Sequence, residues 1–409
     1  MLDQTHDQKA TSWVESANSP ESPFPVQHLP FGRAFGRALV AIGDQVVDLS
    51  AIAREKSLPV SDLSQGSLLG LGDGQARREL RHWLFEQLTS TTSWLAAHRH
   101  YLRPLSEIQL VLPFVVGDYT DFYASIHHAT RVGSMFRPDN PLLPNYTWVP
   151  IGYHGRASSL IVSGTPVPRP SGQLKADDTP APVFGPCKML DYELELGCWV
   201  GKSNSLGQPI ELARVRDHWI GVSLLNDWSA RDIQRWEYQP LGPFLAKSFA
   251  TSVAPWITTQ EALAPFFCPA VPHQPPSLDY LNDPEDQSMG ALDLQLEVEL
   301  QGQTISRSNS KDLFWTLGQM LTHHASNGCP MRTGDLLASG TISGEAAESA
   351  GCLLELTWVG PGQPRRPVEL TDGTTRTFLQ NGDEVVLRGW ARRQGYRSLG
   401  LGECRGTIL

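Results

Sequence analysis

Apolar and polar residues alternate along 189–200 (MLDYELELGCWV) and again along 292–303 (LDLQLEVELQGQ). A period of two predicts strands, because successive side chains on extended backbone point to opposite faces. DEVVLRGWAR, residues 383–392, reads as another strand, and IGVSLLND as an apolar strand ending at Asn226-Asp227. Near the start, RALVAIGDQVVDLS splits into two short apolar runs at Gly43-Asp44, which is a hairpin signal. Helical spacing occurs twice. Leu80, Trp83, Leu84 and Leu88 predict a helix over 75–98, with Arg77, Arg78, Arg81 and Glu86 on its other faces. Leu313, Leu317, Met320 and Leu321 predict a second helix over 310–326, before Gly328. Residues 1–25 are polar and rich in Ser and Pro, and read as a loosely held lead-in.

These elements predict a mainly β protein with some α. A small β-rich domain over 1–113 would precede a large, mixed, mostly β domain over 114–409. Composition agrees. Among 409 residues there are 36 Gly and 31 Pro, so turns are frequent, and only 19% are charged. A net charge of −10 offers no footprint for nucleic acid or an anionic membrane. The six cysteines, at 187, 198, 268, 329, 352 and 404, include no C-x-x-C. They read as free thiols in a reducing compartment. No apolar leader opens the chain and no apolar run is long enough to span a bilayer, so the expected location is the cytoplasm.

Four segments carry candidate chemistry. Glu193 and Glu195 would share a strand face with Asp191, a row of like charges suited to a hard divalent cation. A solvated strand face is the commoner meaning of such a pair, and Glu297/Glu299 repeats the pattern within the same chain. DYTDFYASIHHATRVG packs Asp121, Tyr123, His127 and His128 together. If helical, it would place Asp121 on one face with Ser125 and His128. A histidine beside a carboxylate-rich metal site can act as a general base. In 220–252, Ser229-x-x-Asp232 resembles a capping box, and Arg231, Gln234 and Tyr238 recur on one helical face, with Lys247 and Thr251 following. Cation, amide and phenol together suit an anionic, oxygen-rich substrate. In 336–358, Gly340, Gly344 and Gly351 permit close backbone approach. There Thr341 supplies a hydroxyl, and Glu355 would sit on a strand, opposite Leu354 and Leu356. No dinucleotide fingerprint, P-loop, H-E-x-x-H, EF-hand loop or G-x-S-x-G is present.

Read together, DYTDFYASIHHATRVGSMFR, NYTWVPIGYHGRASSLIVSGTPVPRPSGQ, LDYELEL, NDWSARDIQRWEYQPLGPFLAKSF, LTHHASNGC and GDLLASGTISG closely resemble the fumarylacetoacetase (fumarylacetoacetate hydrolase) family. The resemblance covers essentially all of 114–409. It implies an SH3-like N-terminal barrel, a large mixed β-sandwich roll and a homodimer. It also implies Ca2+ or Mg2+ held by Asp121, Glu193, Glu195 and Asp227, with Lys247 and Thr251 as further metal contacts. The family's general base precedes Ala-Thr, which makes it His128 rather than His127, oriented by Glu355. Arg231, Gln234 and Lys247 would stabilise the oxyanion and leaving group. Substrate contacts would come from Tyr123, Arg137, Tyr153, Gln234, Tyr238 and Thr341. The implied reaction is hydrolysis of a carbon–carbon bond of fumarylacetoacetate, giving fumarate and acetoacetate, the last step of tyrosine and phenylalanine degradation. The competing enzyme is an acylpyruvate or other diketo-acid hydrolase with the same metal residues. Two other readings are an iron oxygenase using His127 and His128, and a non-catalytic calcium-stabilised β protein.

Overall fold

The strands Arg37–Ile42 and Gln45–Asp48 run antiparallel with Ile42 opposite Gln45, so the turn falls on Gly43-Asp44 as the sequence predicts. Gly43 adopts φ +57°, a left-handed conformation that glycine reaches without steric cost. The computed structural model describes residues 2–409. In its first sheet the strand order is Leu102–Pro104, Gln45–Asp48, Arg37–Ile42, Phe31–Ala34, Leu110–Val111. These pairings leave Leu102–Pro104 and Leu110–Val111 at the two edges.

The large sheet runs in the order Gly152–Gly155, Tyr119–Phe122, Leu336–Ala338, Leu194–Val200, Trp219–Asp227, Thr251–Val253, Leu160–Val162, with Thr258–Thr259 also pairing to Trp219–Asp227. A second sheet is ordered Gln303–Asn309, Leu294–Leu300, Glu384–Ala391, Leu399–Thr407. The alternation in LDLQLEVELQGQ is one-sided burial: Leu294, Leu296, Val298 and Leu300 are buried and Gln295 is exposed. The alternation near 190 has a different meaning. Every residue of Leu194–Val200 is buried, because both faces are covered. Leu194, Leu196, Val222 and Leu224 pack with Leu296, Leu387 and Leu401 of the second sheet. Tyr119, Trp199, Leu225 and Leu336 join Val40, Ile42, Leu80 and Leu84 of the N-terminal unit in another core. By strand parity Asp121, Glu195 and Asp227 lie on this second face, at the strand ends.

Four local expectations are corrected. The lead-in is packed rather than loose: Ser12 Oγ donates to the Leu88 carbonyl (2.8 Å), Trp13 Nε1 to the Gln87 carbonyl (2.9 Å), and Gly400 N to the Pro23 carbonyl (2.9 Å). Polar residues hold it by backbone bonding, which hydropathy does not register. The helix over 75–98 is Gly74–Thr89, capped by Asp73, and a separate turn, Trp94–Ala97, follows behind Ser93. Its Arg77 and Arg81 are buried, not solvated. Arg77 Nη2 meets Glu261 Oε1 at 2.7 Å. Arg81 bonds Thr5 Oγ1 (2.9 Å), the His28 carbonyl (2.8 Å) and the Gln27 carbonyl (2.5 Å). A buried cation is tolerated when its donors are satisfied in this way. The second helix begins only at Leu317, because Thr316 and Gln319 form a capping box, so Leu313 precedes it. Finally, 118–133 is not one helix: Tyr119–Phe122 is a strand and Ile126–Phe136 a helix capped by Ser125.

All six cysteines are unpaired. Among the described residues no helix is long and apolar enough to cross a membrane. Arg81→Ala removes the donors of two backbone carbonyls and a buried hydroxyl. The expected cost is roughly 3 kcal/mol, read by urea unfolding, with faster proteolysis ahead of residue 30.

Candidate active site

Four buried carboxylates, Asp121, Glu193, Glu195 and Asp227, bring oxygens within 4.8 Å of one another. Strand register places three of them. Asp121 stands opposite Tyr153 and beside Ala338, Glu195 stands opposite Leu225, and Asp227 stands opposite Thr251. Glu193 lies in a break between the strands Leu190–Asp191 and Leu194–Val200, so it is freed from their alternation. The expected pairing of Glu193 with Glu195 through i, i+2 parity is therefore replaced by convergence across a strand interruption. Glu297 and Glu299, the repeat of the motif, instead meet Arg307 and Arg388 on the second sheet.

Two cations answer this charge. Lys247 Nζ bonds a Glu193 oxygen and meets Asp227 Oδ2 at 2.8 Å. Arg231 Nη1 donates to Glu193 Oε1 (2.6 Å) and Nε to Asp191 Oδ2 (3.0 Å). Burial opposes ionisation of Glu193, but the Lys247 and Arg231 charges outweigh it and lower its pKa. Burial likewise opposes the Lys247 ammonium, and Asp227 and Glu193 outweigh it, so its pKa is raised. A protonated ammonium has no lone pair. Lys247 therefore supplies positive charge to the cluster, and the Thr251 hydroxyl donates to Asp227 Oδ1 at 2.6 Å.

The two remaining carboxyls are not balanced. Burial and then the neighbouring Asp227 push Asp121 well above its usual range. Burial, followed by Asp121, Glu193 and Asp227, does the same to Glu195. Glu195 Oε1 is buried without a hydrogen-bond partner, and Glu195 Oε2 and Asp121 Oδ1 share the Gly340 amide at 3.0 and 3.1 Å. Gly340 needs φ +75°, and a Cβ there would lie 2.2 Å from the Phe122 carbonyl oxygen. An oxygen-only donor set with excess negative charge and an orphaned carboxylate oxygen fits a hard divalent cation. Tyr153, expected as a substrate contact, has its phenol bonded to Asp121 Oδ2 (3.1 Å) and Asp227 Oδ2 (2.5 Å).

Beside this cluster, His128 Nδ1 and Glu355 Oε2 are 2.5 Å apart, both buried. Glu355 is not on a strand, as the alternation of LLEL suggests, but on the short helix Leu353–Leu356. That helix is anchored by Asp191, whose carboxylate takes the Leu353 and Leu354 amides at 2.8 and 2.9 Å. Arg231 thus ties both centres together through Asp191 and Glu193. Ser343 Oγ (2.8 Å) and Cys352 Sγ (3.2 Å) also donate to Glu355 Oε2. Burial opposes ionisation of Glu355, but the His128 charge and these bonds hold its carboxyl at about 2.

The other expected residues surround this space. Tyr123 stands edge-on to the His128 ring at 5.3 Å. Arg137 follows the helix Ile126–Phe136, donates to the Pro141 carbonyl (3.1 Å), and its charge is felt at Tyr123. Gln234 Oε1 is 3.5 Å from Arg231 Nη1, and half-buried Tyr238 ends the helix Arg231–Glu237. Ala230 occupies the cap position of that helix, so the expected Ser229–Asp232 box does not form. Asp232 instead accepts from Cys187 Sγ and Lys188 N. Thr341 Oγ1 is buried without a partner. His127 is not a member of the cluster His128, Cys352, Glu355, so the adjacent histidines do not converge on one ion. The residues that sequence missed are Asp191 as an anchor, and Arg131, Ser343 and Cys352 around Glu355. Only Asp191, beside Glu193, carried any signal.

Residues 118–409 match the model of the fumarylacetoacetate (FAA) hydrolase C-terminal family. The chain belongs to the fumarylacetoacetate hydrolase family. It is 46% identical over 416 residues to fumarylacetoacetase of Homo sapiens, covering 95% of this chain and 97% of the relative. It is 45% identical over 414 residues to fumarylacetoacetase of Bos taurus, with the same coverage. A solved fumarylacetoacetate hydrolase of Exiguobacterium antarcticum superposes with a TM-score of 0.53 at 17% identity over 93% of this chain and 99% of that one, which is a likeness of fold. In this member of the fumarylacetoacetate hydrolase family the His128–Glu355 pair and the acidic cluster are joined through Arg231.

The Glu355 carboxyl lies below its ordinary 4.5 when folded, so its ionised form stabilises the fold above that pH. This contribution is lost as pH falls towards about 2. The unfolding free-energy gap between wild type and Glu355→Gln is expected to be constant above pH 4.5 and to narrow below it, measured by urea titrations across pH.

Proposed function

We infer that this chain hydrolyses the carbon–carbon bond between the fumaroyl and acetoacetyl parts of fumarylacetoacetate, giving fumarate and acetoacetate. The observation that carries this reading is the His128–Glu355 pair, 2.5 Å apart, beside four buried carboxylates. Fumarylacetoacetases at 45–46% identity along nearly the whole chain, N-terminal unit included, favour this substrate over shorter diketo acids.

Asp121, Glu193, Glu195 and Asp227 would hold the metal, and Ca2+ or Mg2+ suits oxygens of this charge. When bound, such an ion supplies Lewis-acid polarisation of the substrate's oxygens. Glu355 fixes the imidazole tautomer: Nδ1–H donates to the carboxylate, which leaves the Nε2 lone pair to take a proton from water. Hydroxide adds to the fumaroyl-side carbonyl carbon. Arg231 and Gln234 offer donors to the oxyanion that forms, and Lys247 adds positive charge. The carbon–carbon bond then breaks, and its electron pair departs as the enolate of acetoacetate. His128 returns its proton to that carbon, so water is divided between the two products. Tyr123, Arg137, Tyr238 and Thr341 would position the substrate, with Tyr123 edge-on to the His128 ring. Tyr153 orients two of the metal carboxylates as well as lining the site.

A homodimer belongs to this reading. It is supported by Phe184, Leu241 and Phe244, large apolar side chains that one chain leaves in water. Cytoplasmic residence is supported by the six unpaired thiols.

Purified protein added to fumarylacetoacetate is expected to bleach the ultraviolet absorbance of the conjugated diketone and release fumarate. A chelator should stop the reaction and added divalent cation restore it. Unchanged absorbance with both Ca2+ and Mg2+ present would transfer the assignment to shorter diketo acids. His128→Ala should lose at least about a hundredfold in kcat while keeping its metal. Asp227→Asn should lose both, as read by turnover and metal analysis side by side. A His128→Ala enzyme with near-normal turnover would refute the mechanism.

A further inference from the structure

We propose that Arg131 is a positioning residue for the base, setting the rotation of Glu355 towards His128 and locking the loop that carries Thr341. The inference rests on the hydrolase reading above and adds to it a residue that touches neither substrate nor metal ligands.

Arg131 lies three residues after His128 on the helix Ile126–Phe136, so one helix offers the base and the guanidinium side by side. Its Nη1 donates to Glu355 Oε1 at 3.2 Å. The other carboxylate oxygen, Oε2, meets His128, Ser343 and Cys352. A carboxylate turns easily about its last bond. Here it cannot turn without giving up donors at both oxygens, and Arg131 is the donor that distinguishes Oε1 from Oε2. The same guanidinium faces three successive carbonyls through Nη2: Gly344 (2.8 Å), Glu345 (2.5 Å) and Ala346 (3.0 Å).

Those carbonyls directly follow Ser343. The Ser343 hydroxyl bonds Glu355, and its carbonyl accepts from Ser125 Oγ at the cap of the His128 helix (2.9 Å). Two residues earlier is Thr341, with its unpartnered buried hydroxyl. Helix, loop and carboxylate therefore close on Arg131. Glu355 is fully buried and the Arg131 side chain only 19% exposed, so solvent substitutes poorly for these bonds. A planar fork with donors on two sides suits the task, whereas an ammonium serves one point.

The test uses the full-length, metal-loaded enzyme with fumarylacetoacetate. Arg131→Ala is expected to lower kcat roughly tenfold to a hundredfold with KM changed by less than about threefold. Added guanidinium at millimolar concentration should recover part of the lost kcat in Arg131→Ala and leave wild type unaffected. Arg131→Lys should remain well below wild type. If Arg131→Ala is recovered unfolded, Arg131→Gln, which can still donate to one acceptor, carries the same comparison. Wild-type kcat in these variants overturns the proposal. So does a loss of activity with no guanidinium response, because that marks a purely structural role. A wild-type enzyme inactive on this substrate overturns instead the functional reading beneath it.

Discussion

The site is organised around an electrostatic problem: more negative charge is buried at one place than the protein's own cations balance. Asp121, Asp191, Glu193, Glu195 and Asp227 are all buried, and Lys247 and Arg231 are the cations bonded among them. Removing carboxylates from water is costly unless they are paired. Glu193 is paired and its pKa falls, whereas Asp121 and Glu195 remain beside like charges and theirs rise. That division fits a centre able to hold a further, divalent cation.

The fold exists in a form that can hold such a centre. Asp121, Glu195 and Asp227 lie at strand ends on the face that, two to four residues further along, buries Tyr119, Trp199 and Leu225 against the N-terminal unit. The carboxylates are thus fixed by backbone hydrogen bonding rather than by flexible loops, and the apolar core behind them keeps water out. Rigidity of this kind is what lets like charges stay within reach of one another. The N-terminal unit contributes no named catalytic group, yet it closes that core. Arg77, paired with Glu261, and the packed first residues, bonded through the Pro23 carbonyl to the Gly400 amide, fasten it there.

The acidic cluster and the His128–Glu355 pair are not independent. Arg231 bonds Glu193 of the acidic cluster and also Asp191, which caps the helix bearing Glu355. A shift in the acidic cluster would therefore be passed to the orientation of His128 through two salt bridges and a pair of amides. Geometry at the His128–Glu355 pair therefore depends on geometry at the acidic cluster.

Much of this protein was legible along the chain. The Gly43-Asp44 hairpin, the strand Trp219–Asp227 with Asp227 at its end, and the strands Leu294–Leu300 and Glu384–Ala391 of the second sheet follow from period-two patterning and turn chemistry, which are local properties. The candidate residues were legible as unusual polar density within long distinctive motifs. Tertiary structure decided the rest, because it depends on contacts between distant segments. Alternation could not tell a strand covered on both faces from one exposed on a side, nor a broken strand at Glu193 from a continuous one. Helical spacing could not show that Arg77 and Arg81 find partners far away and turn inwards. Glu355 could be placed on a strand from LLEL alone, since four residues fit either period. Its position on a helix is set by Asp191, 164 residues earlier in the chain, accepting the Leu353 and Leu354 amides. The sequence determined which groups were available; the packing of separate segments decided which of them meet, because a carboxylate's charge state and orientation are fixed by neighbours that sequence distance does not reveal.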